Sequence, residues 1–130
     1  MDYEENEKIT TEKILNPSVG DRFHEMLSFW MYVVKVEYDN YGDVVRVYTM
    51  SFNPPCEAPR DGELTEYSVD GFRKHFFYGI GDLIETSWLT YCDNRDVSGW
   101  FDGHLAEGKE MLIYETDILK SENRFERIIA

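Results

Sequence analysis

Alternating apolar and polar positions predict a β-hairpin in the first half of the chain. Between Phe29 and Asp39, every second residue is aromatic or β-branched, and the positions between them become polar from Lys35 onward. This pattern is typical of a strand with one fully buried face. Residues 39–43 include the Asp, Asn and Gly residues that are typical of a tight turn. Val44 to Phe52 is again rich in strand-forming residues. We therefore expect two antiparallel strands joined by a short turn.

The remaining apolar segments are shorter and are separated by polar or proline-rich stretches. Ser68 is placed to cap a helical turn that runs through Phe76 and ends at 79–81. Residues 53–63 contain three of the four prolines and should form an extended loop, and 93–103 should form a polar, glycine-containing loop. The other segments predict strands, the last of them a strand or a short helix, at 64–67, 83–91, 111–115 and 125–129.

The first 17 residues differ from the rest of the chain. They contain five acidic and two basic residues and few aliphatic ones, and Asn16-Pro17 would stop a short helix. A chain of 130 residues suits one hydrophobic core. We expect a flexible or short-helical N-terminal arm over 1–17, mobile or docked, and a single compact β-rich domain over 18–130.

These elements predict a mainly β fold, or a β-rich α+β fold. The expected architecture is a small antiparallel sheet, partly open barrel or strongly bent, with one or two short helices. The order of three elements resembles that of SH3-like or Tudor-like barrels. These elements are the Val-Gly-Asp-Arg-Phe segment at 19–23, the long hairpin and the short last strand. The resemblance has no diagnostic motif, so it implies no family and no function.

Acidic residues outnumber basic residues by 26 to 13, which gives a formal charge of −13. Direct binding to nucleic acid or to an anionic membrane requires clustered Lys and Arg, so this balance argues against both partners. The acidic N-terminus lacks the pattern of a secretory signal, and the longest apolar run, 29–34, is far shorter than the roughly 20 residues of a membrane span. We expect a cytoplasmic protein, in the host cytoplasm if it is viral, with Cys56 and Cys92 as free thiols.

No motif with catalytic or cofactor-binding chemistry is found. Gly79-Ile80-Gly81 lacks the third glycine of a dinucleotide-binding fingerprint. The three histidines are far apart and lack the spacing of zinc ligands, and the aspartates at 93, 96 and 102 do not follow a calcium-loop register. We therefore predict a protein that is not an enzyme and that has no catalytic residue, no cofactor and no metal.

The acidic excess is spread along the whole sequence, which leaves two interpretations of it. One is solubility, which requires no partner. The other is mimicry of a nucleic acid, because strand positions i and i+2 are about 6.6–6.8 Å apart and match two phosphate steps of about 3.4 Å. Three acidic pairs have this spacing, namely Glu37/Asp39, Asp61/Glu63 and Glu115/Asp117.

Aromatic residues in predicted loops are the second clue to function. Exposed Tyr and Trp often anchor protein interfaces, although loop aromatics also fold back over the edge of a core. We predict a non-catalytic acidic protein-binding domain, such as a viral or mobile-element inhibitor, whose partner is a basic, nucleic-acid-binding host protein, an enzyme for example. The twelve predicted contact residues are Glu37, Asp39, Tyr41, Asp61, Glu63, Asp93, Asp96, Trp100, Phe101, Asp102, Glu115 and Asp117.

Two alternatives remain open. The first is a small-ligand-binding or enzymatic β-barrel with a site between the 53–63 and 93–103 loops, and the second is a structural domain that forms homo-oligomers. A deep pocket with converging His or Asp side chains would favour the first. A convex acidic face with exposed aromatic residues would favour the protein-binding domain.

Overall fold

The computed structural model of the chain describes residues 3–25, 29–52, 62–80, 83–86, 90–91 and 98–129, with side chains at 8–23, 30–51, 62–76, 91 and 103–129. Within these ranges the chain forms four helices and eight strands. The helices are α1 (Tyr3–Leu15), α2 (Val69–Phe76), α3 (Ser98–Tyr114) and α4 (Thr116–Ser121). The strands are β1 (Arg22–Glu25), β2 (Phe29–Tyr38), β3 (Val44–Phe52), β4 (Glu63–Ser68), β5 (Phe77–Ile80), β6 (Leu83–Thr86), β7 (Thr90–Tyr91) and β8 (Phe125–Ile128).

The main sheet is mixed and open, with the strand order β7-β1-β2-β3-β4-β8. Five of these strands have four or more residues, and the edge strand β7 has two. All neighbours pair antiparallel except β4 and β8, which are parallel. Strands β5 and β6 form a separate two-stranded sheet. The β-rich α+β class is confirmed, but the sheet is not closed and the SH3-like or Tudor-like resemblance is not confirmed.

The predicted hairpin is confirmed as β2 and β3. At its turn the Asp39 carboxylate accepts hydrogen bonds from the backbone N–H groups of Tyr41 (2.8 Å) and Asp43 (3.0 Å), and Gly42 has a φ of 85°. The expected unbroken alternation, with Val36 on the same face as Val34, is wrong. A register shift between Val33 and Lys35 interrupts the alternation, so Val36 joins the face of Val33.

The two faces of the sheet are covered by different helices, and each face has its own core. Helices α1 and α2 cover the first, which contains Ile14, Phe23, Met31, Val33, Val47, Tyr67, Phe72 and Phe76. Helices α3 and α4 cover the second, which contains Tyr32, Val34, Met50, Leu64, Met111 and Leu119. Strand β2 is therefore buried on both sides over residues 31–34.

Helix α1 is docked on the body of the protein. Ile14 is fully buried in the first core, Leu15 O accepts a hydrogen bond from Arg73 Nη2 (2.8 Å), and the Thr10 hydroxyl accepts one from Tyr91 N (2.9 Å). No helix in the described part of the chain is long and apolar enough to cross a membrane.

The helical content exceeds the one or two short helices expected. Helix α3 is 17 residues long and occupies positions predicted as loop (98–103) and strand (111–115). It forms because buried positions 104, 108, 111 and partly buried 112 follow helical spacing and meet the sheet on one side. The predicted strand over 83–91 contains β6 and β7, which belong to different sheets. Residues 53–61 of the predicted proline-rich loop, with Cys56, and also Cys92, lie outside the described residues.

Candidate partner-binding surface

The predicted contact residues whose side chains the structure describes do not come together in one place. Asp61, Asp93 and Asp96 lie outside the described residues, and Trp100, Phe101 and Asp102 lie in the first turns of α3, with side chains outside the description. The other six occupy three places: Glu37, Asp39 and Tyr41 on the hairpin, Glu63 at the start of β4, and Glu115 and Asp117 where α3 meets α4.

The spacing argument for phosphate mimicry is wrong for the pairs that the structure describes in full. Glu115 and Asp117 are at the junction of two helices, so they do not project from one face of a strand. Glu37 is on β2, but Asp39 is beyond the end of that strand, and its carboxylate is engaged by the turn backbone. The strand repeat of 6.6–6.8 Å therefore applies to neither pair.

Glu37 belongs to a network of charges on the second face of the sheet. Its carboxylate lies 3.3 Å from Lys35 Nζ and 3.9 Å from Arg46 Nε, and it accepts a hydrogen bond from the Tyr48 hydroxyl (3.3 Å). The buried Glu66 carboxylate accepts hydrogen bonds from Arg46 Nη1 (3.1 Å) and Arg127 Nε (2.8 Å). Both carboxylates are neutralised by bases of this chain.

The same network sets the protonation of Tyr48. Burial, then the negative charges of Glu66 and Glu37, raise the pKa of Tyr48 to about 12, although the nearby Arg46 opposes this. The hydroxyl therefore remains a hydrogen-bond donor at neutral pH. The network links strands β2, β3, β4 and β8 through their side chains.

Two histidines have described side chains, and both are perturbed by burial. Burial lowers the pKa of His104, which is on the sheet-facing side of α3, and the negative charge of Glu107 opposes this effect. Burial also lowers the pKa of His75 on α2, where the charge of Glu126 opposes it. Among the described residues, no three His, Cys, Asp or Glu side chains are grouped as a metal site would require.

Exposed apolar side chains are concentrated in two short stretches. Eight large apolar side chains are exposed in the described part of the chain, and six of them lie at the hairpin or on the last two helices. The hairpin group is Tyr38, Tyr41 and Val45, with Tyr41 89% exposed. A cleft of about 360 Å³ lies beside it, bordered by 16–18 and Arg73.

The second group lies on α3 and α4 and combines apolar and acidic side chains. Tyr114 is 76% exposed and Ile118 is 53% exposed, and Glu110 and Asp117 beside them are exposed as well. The hydrogen bond from Glu115 N to Met111 O (3.0 Å) ends the pattern of α3, and the one from Leu119 N to Glu115 O (2.9 Å) begins that of α4. Tyr114 is the last residue of α3, and Asp117 and Ile118 lie in the first turn of α4, so with Glu110 these exposed side chains flank the junction of the two helices. We call this group the α3–α4 ridge.

Of the ridge residues, only Asp117 was predicted from the sequence, as the strand-spaced partner of Glu115. A helical count from Gly108 and Met111, both buried, would have placed Glu110 and Tyr114 on the outer side of α3, but it would not have placed Ile118 there, which is seven positions from Met111. The ridge points outward because Met111 and Leu119 anchor the two helices in the second core.

Comparisons with protein-family models, curated proteins and solved structures return no match.

Proposed function

We propose that this chain is a non-catalytic protein-binding domain whose α3–α4 ridge contacts a partner. The exposure of Tyr114 and Ile118, four residues apart at the junction of α3 and α4, is the observation that supports this most directly. Single exposed apolar residues are ordinary on a protein surface, but adjacent ones surrounded by polar groups are typical of interaction sites. Tyrosine is among the residues that most often dominate binding energy.

The charges at the edge of the ridge indicate the partner's chemistry. Glu110 and Asp117 make no ion pair with any described residue, unlike Glu37 and Glu66. A partner with Lys or Arg around an apolar pocket would complement them. A basic, nucleic-acid-binding protein has this chemistry, and the proposal includes the expected inhibitor role in a viral or mobile-element setting and a cytoplasmic location.

Two double variants separate the ridge from the other exposed apolar group. Tyr114→Ser with Ile118→Ser removes the ridge anchors, and Tyr41→Ser with Val45→Ser is the matched control at the hairpin. Each protein is used as bait in lysate at low and high salt, and the bound proteins are identified. We expect the unmodified chain and the hairpin variant to retain a basic protein at low salt, and the ridge variant not to retain it. High salt should release this protein from the bait.

A direct titration with that purified partner then gives the affinity. We expect the ridge variant to bind at least about tenfold more weakly than the unmodified chain, which is typical for the loss of a central aromatic anchor. Thermal unfolding of both variants shows whether each is folded. Equal retention by both variants would overturn the proposal, as would a homodimer that the ridge substitutions dissociate, since the ridge would then be a self-association surface.

A further inference from the structure

A second site lies on the other flank of α3, between this helix and strands β2 and β3. The groove has a volume of about 370 Å³ and is lined by Val34, Lys35, Tyr48, Lys109, Leu112 and Ile113. Residues 109, 112 and 113 share one flank of the helix because they are three and four positions apart. The residues that line the groove belong neither to the ridge nor to the 53–63 and 93–103 segments, where the alternative ligand site was predicted from the sequence.

The walls of the groove are apolar. Val34 is buried at its base, Leu112 is half-buried, and Ile113, which is 68% exposed, forms the outer edge. The Tyr48 hydroxyl donates to Glu37, so the ring of Tyr48 serves as a further apolar wall. These side chains favour a ligand with a hydrocarbon part.

Two lysines give the groove a positive charge. Lys35 Nζ lies 5.6 Å from the centroid of the Tyr48 ring and forms an ion pair with Glu37 Oε1 at 3.3 Å. Lys109 is exposed and makes no ion pair with any described residue. An uncompensated ammonium group beside an apolar surface is suited to an anionic ligand group.

The surrounding charges strengthen this preference. The two neighbouring carboxylates are paired with bases of this chain. Glu37 pairs with Lys35 and Arg46, and Glu66 pairs with Arg46 and Arg127. Among the described residues that line the groove, two are lysines and none is acidic, although the chain carries a formal charge of −13.

We propose that the groove binds a small amphipathic carboxylate, with its hydrocarbon chain along Val34, Leu112 and Ile113 and its carboxylate at Lys35 and Lys109. The volume lies in the range of about 300–1,000 Å³ typical of small-molecule sites. An apolar site with a few placed polar groups is the usual design of such sites. This proposal does not depend on the ridge.

The test compares decanoate with decanol, which has the same chain without the charge, by NMR titration of the full-length protein. Decanoate is kept below its micellar concentration. We expect decanoate to shift the backbone resonances of 34–35, 48 and 109–113, and to bind about tenfold more tightly than decanol, as one charge-assisted contact predicts.

Lys109→Met tests the role of the lysine, because it removes the charge and retains the unbranched stem. We expect it to weaken decanoate binding about tenfold and to leave decanol binding unchanged. Lys74→Met is the matched control, since Lys74 is exposed on α2 at the opposite face of the sheet. Equal affinities for the two probes, an unchanged affinity in Lys109→Met, or shifts confined to other residues would overturn the proposal.

Discussion

At the scale of single residues, two glycines of α3 show how closely the helix approaches the sheet. A Cβ on Gly108 would lie 2.8 Å from Tyr32 Oη and 2.9 Å from Val34 Cγ1, whereas a Cβ on Gly103 would meet nothing within 4 Å. The Tyr32 hydroxyl donates to His104 O (2.9 Å), which binds the same helix to β2. Gly108 therefore allows the contact that places both flanks of α3, with the ridge on one side and the groove on the other.

Alanine substitutions at the two glycines should have opposite effects on stability. Gly108→Ala should lower the free energy of unfolding by about 1–3 kcal/mol, because the added methyl group overpacks the contact with β2. Gly103→Ala should raise it by about 0.5–1 kcal/mol, because alanine is the better residue in an exposed helix position. Urea denaturation of the two variants measures both changes. A stabilised Gly108→Ala variant would show that α3 does not lie this close to the sheet.

At the scale of elements, local signals account for what the sequence predicted. The hairpin follows from the Asp and Gly residues of its turn, and α2 begins after Ser68 as expected, because the Ser68 hydroxyl accepts a hydrogen bond from Gly71 N (2.9 Å). Each signal lies within a few residues of the structure that it predicts. These elements could therefore be predicted without knowledge of the rest of the fold.

Contacts between distant parts of the chain account for what the sequence did not predict. The parallel pairing of β8 with β4 joins residues about 60 positions apart, such as Leu64 and Phe125, and no local pattern marks it. Helix α3 was missed because its buried side includes Gly108 and His104, which an apolar count ignores. The ridge and the groove depend on α3, so neither was predictable once that helix had been assigned to a loop and a strand.

The Ser68 cap is testable at this scale. Ser68→Ala should lower the free energy of unfolding by about 1 kcal/mol, because the N–H of Gly71 loses its acceptor at the start of α2. Ser68→Thr retains the hydroxyl and should lower the free energy of unfolding much less than Ser68→Ala does. Thermal or urea unfolding of the two variants gives the comparison, and a Thr variant as unstable as the Ala variant would mean that the side chain acts through packing rather than through the cap.

At the scale of the whole molecule, the acidic residues that the structure describes are interspersed with basic ones. The described side chains include 14 acidic and 11 basic residues. On the described surface, several acids are paired with bases, such as Asp21 with Lys13 (3.5 Å) and Glu122 with Arg124 (2.8 Å). This mixed arrangement favours the solubility interpretation there and makes the ridge, rather than total charge, the leading clue to function.

The stability of the whole molecule should fall at alkaline pH because of its buried tyrosines. Burial raises the pKa of Tyr67 to about 12, and burial also raises that of Tyr32 and that of Tyr48. The unfolded chain releases these protons near pH 10, whereas the folded chain retains them. Their contribution to stability is therefore complete below about pH 10 and is lost as the pH rises toward about 12.

Urea unfolding between about pH 8 and pH 11 measures this loss through the slope of the unfolding free energy against pH. Tyr67→Phe removes one buried proton, so its free energy of unfolding should decline less steeply above about pH 10 than that of the unmodified chain. Tyr114→Phe, at the exposed ridge, is the control and should keep the original slope. Identical slopes in all three proteins would mean that the Tyr67 hydroxyl ionises as readily in the folded chain as in the unfolded one. In that case the contact of β4 with α2, where Tyr67 packs against Phe72 with ring centroids 5.2 Å apart, would not exclude water as the fold requires.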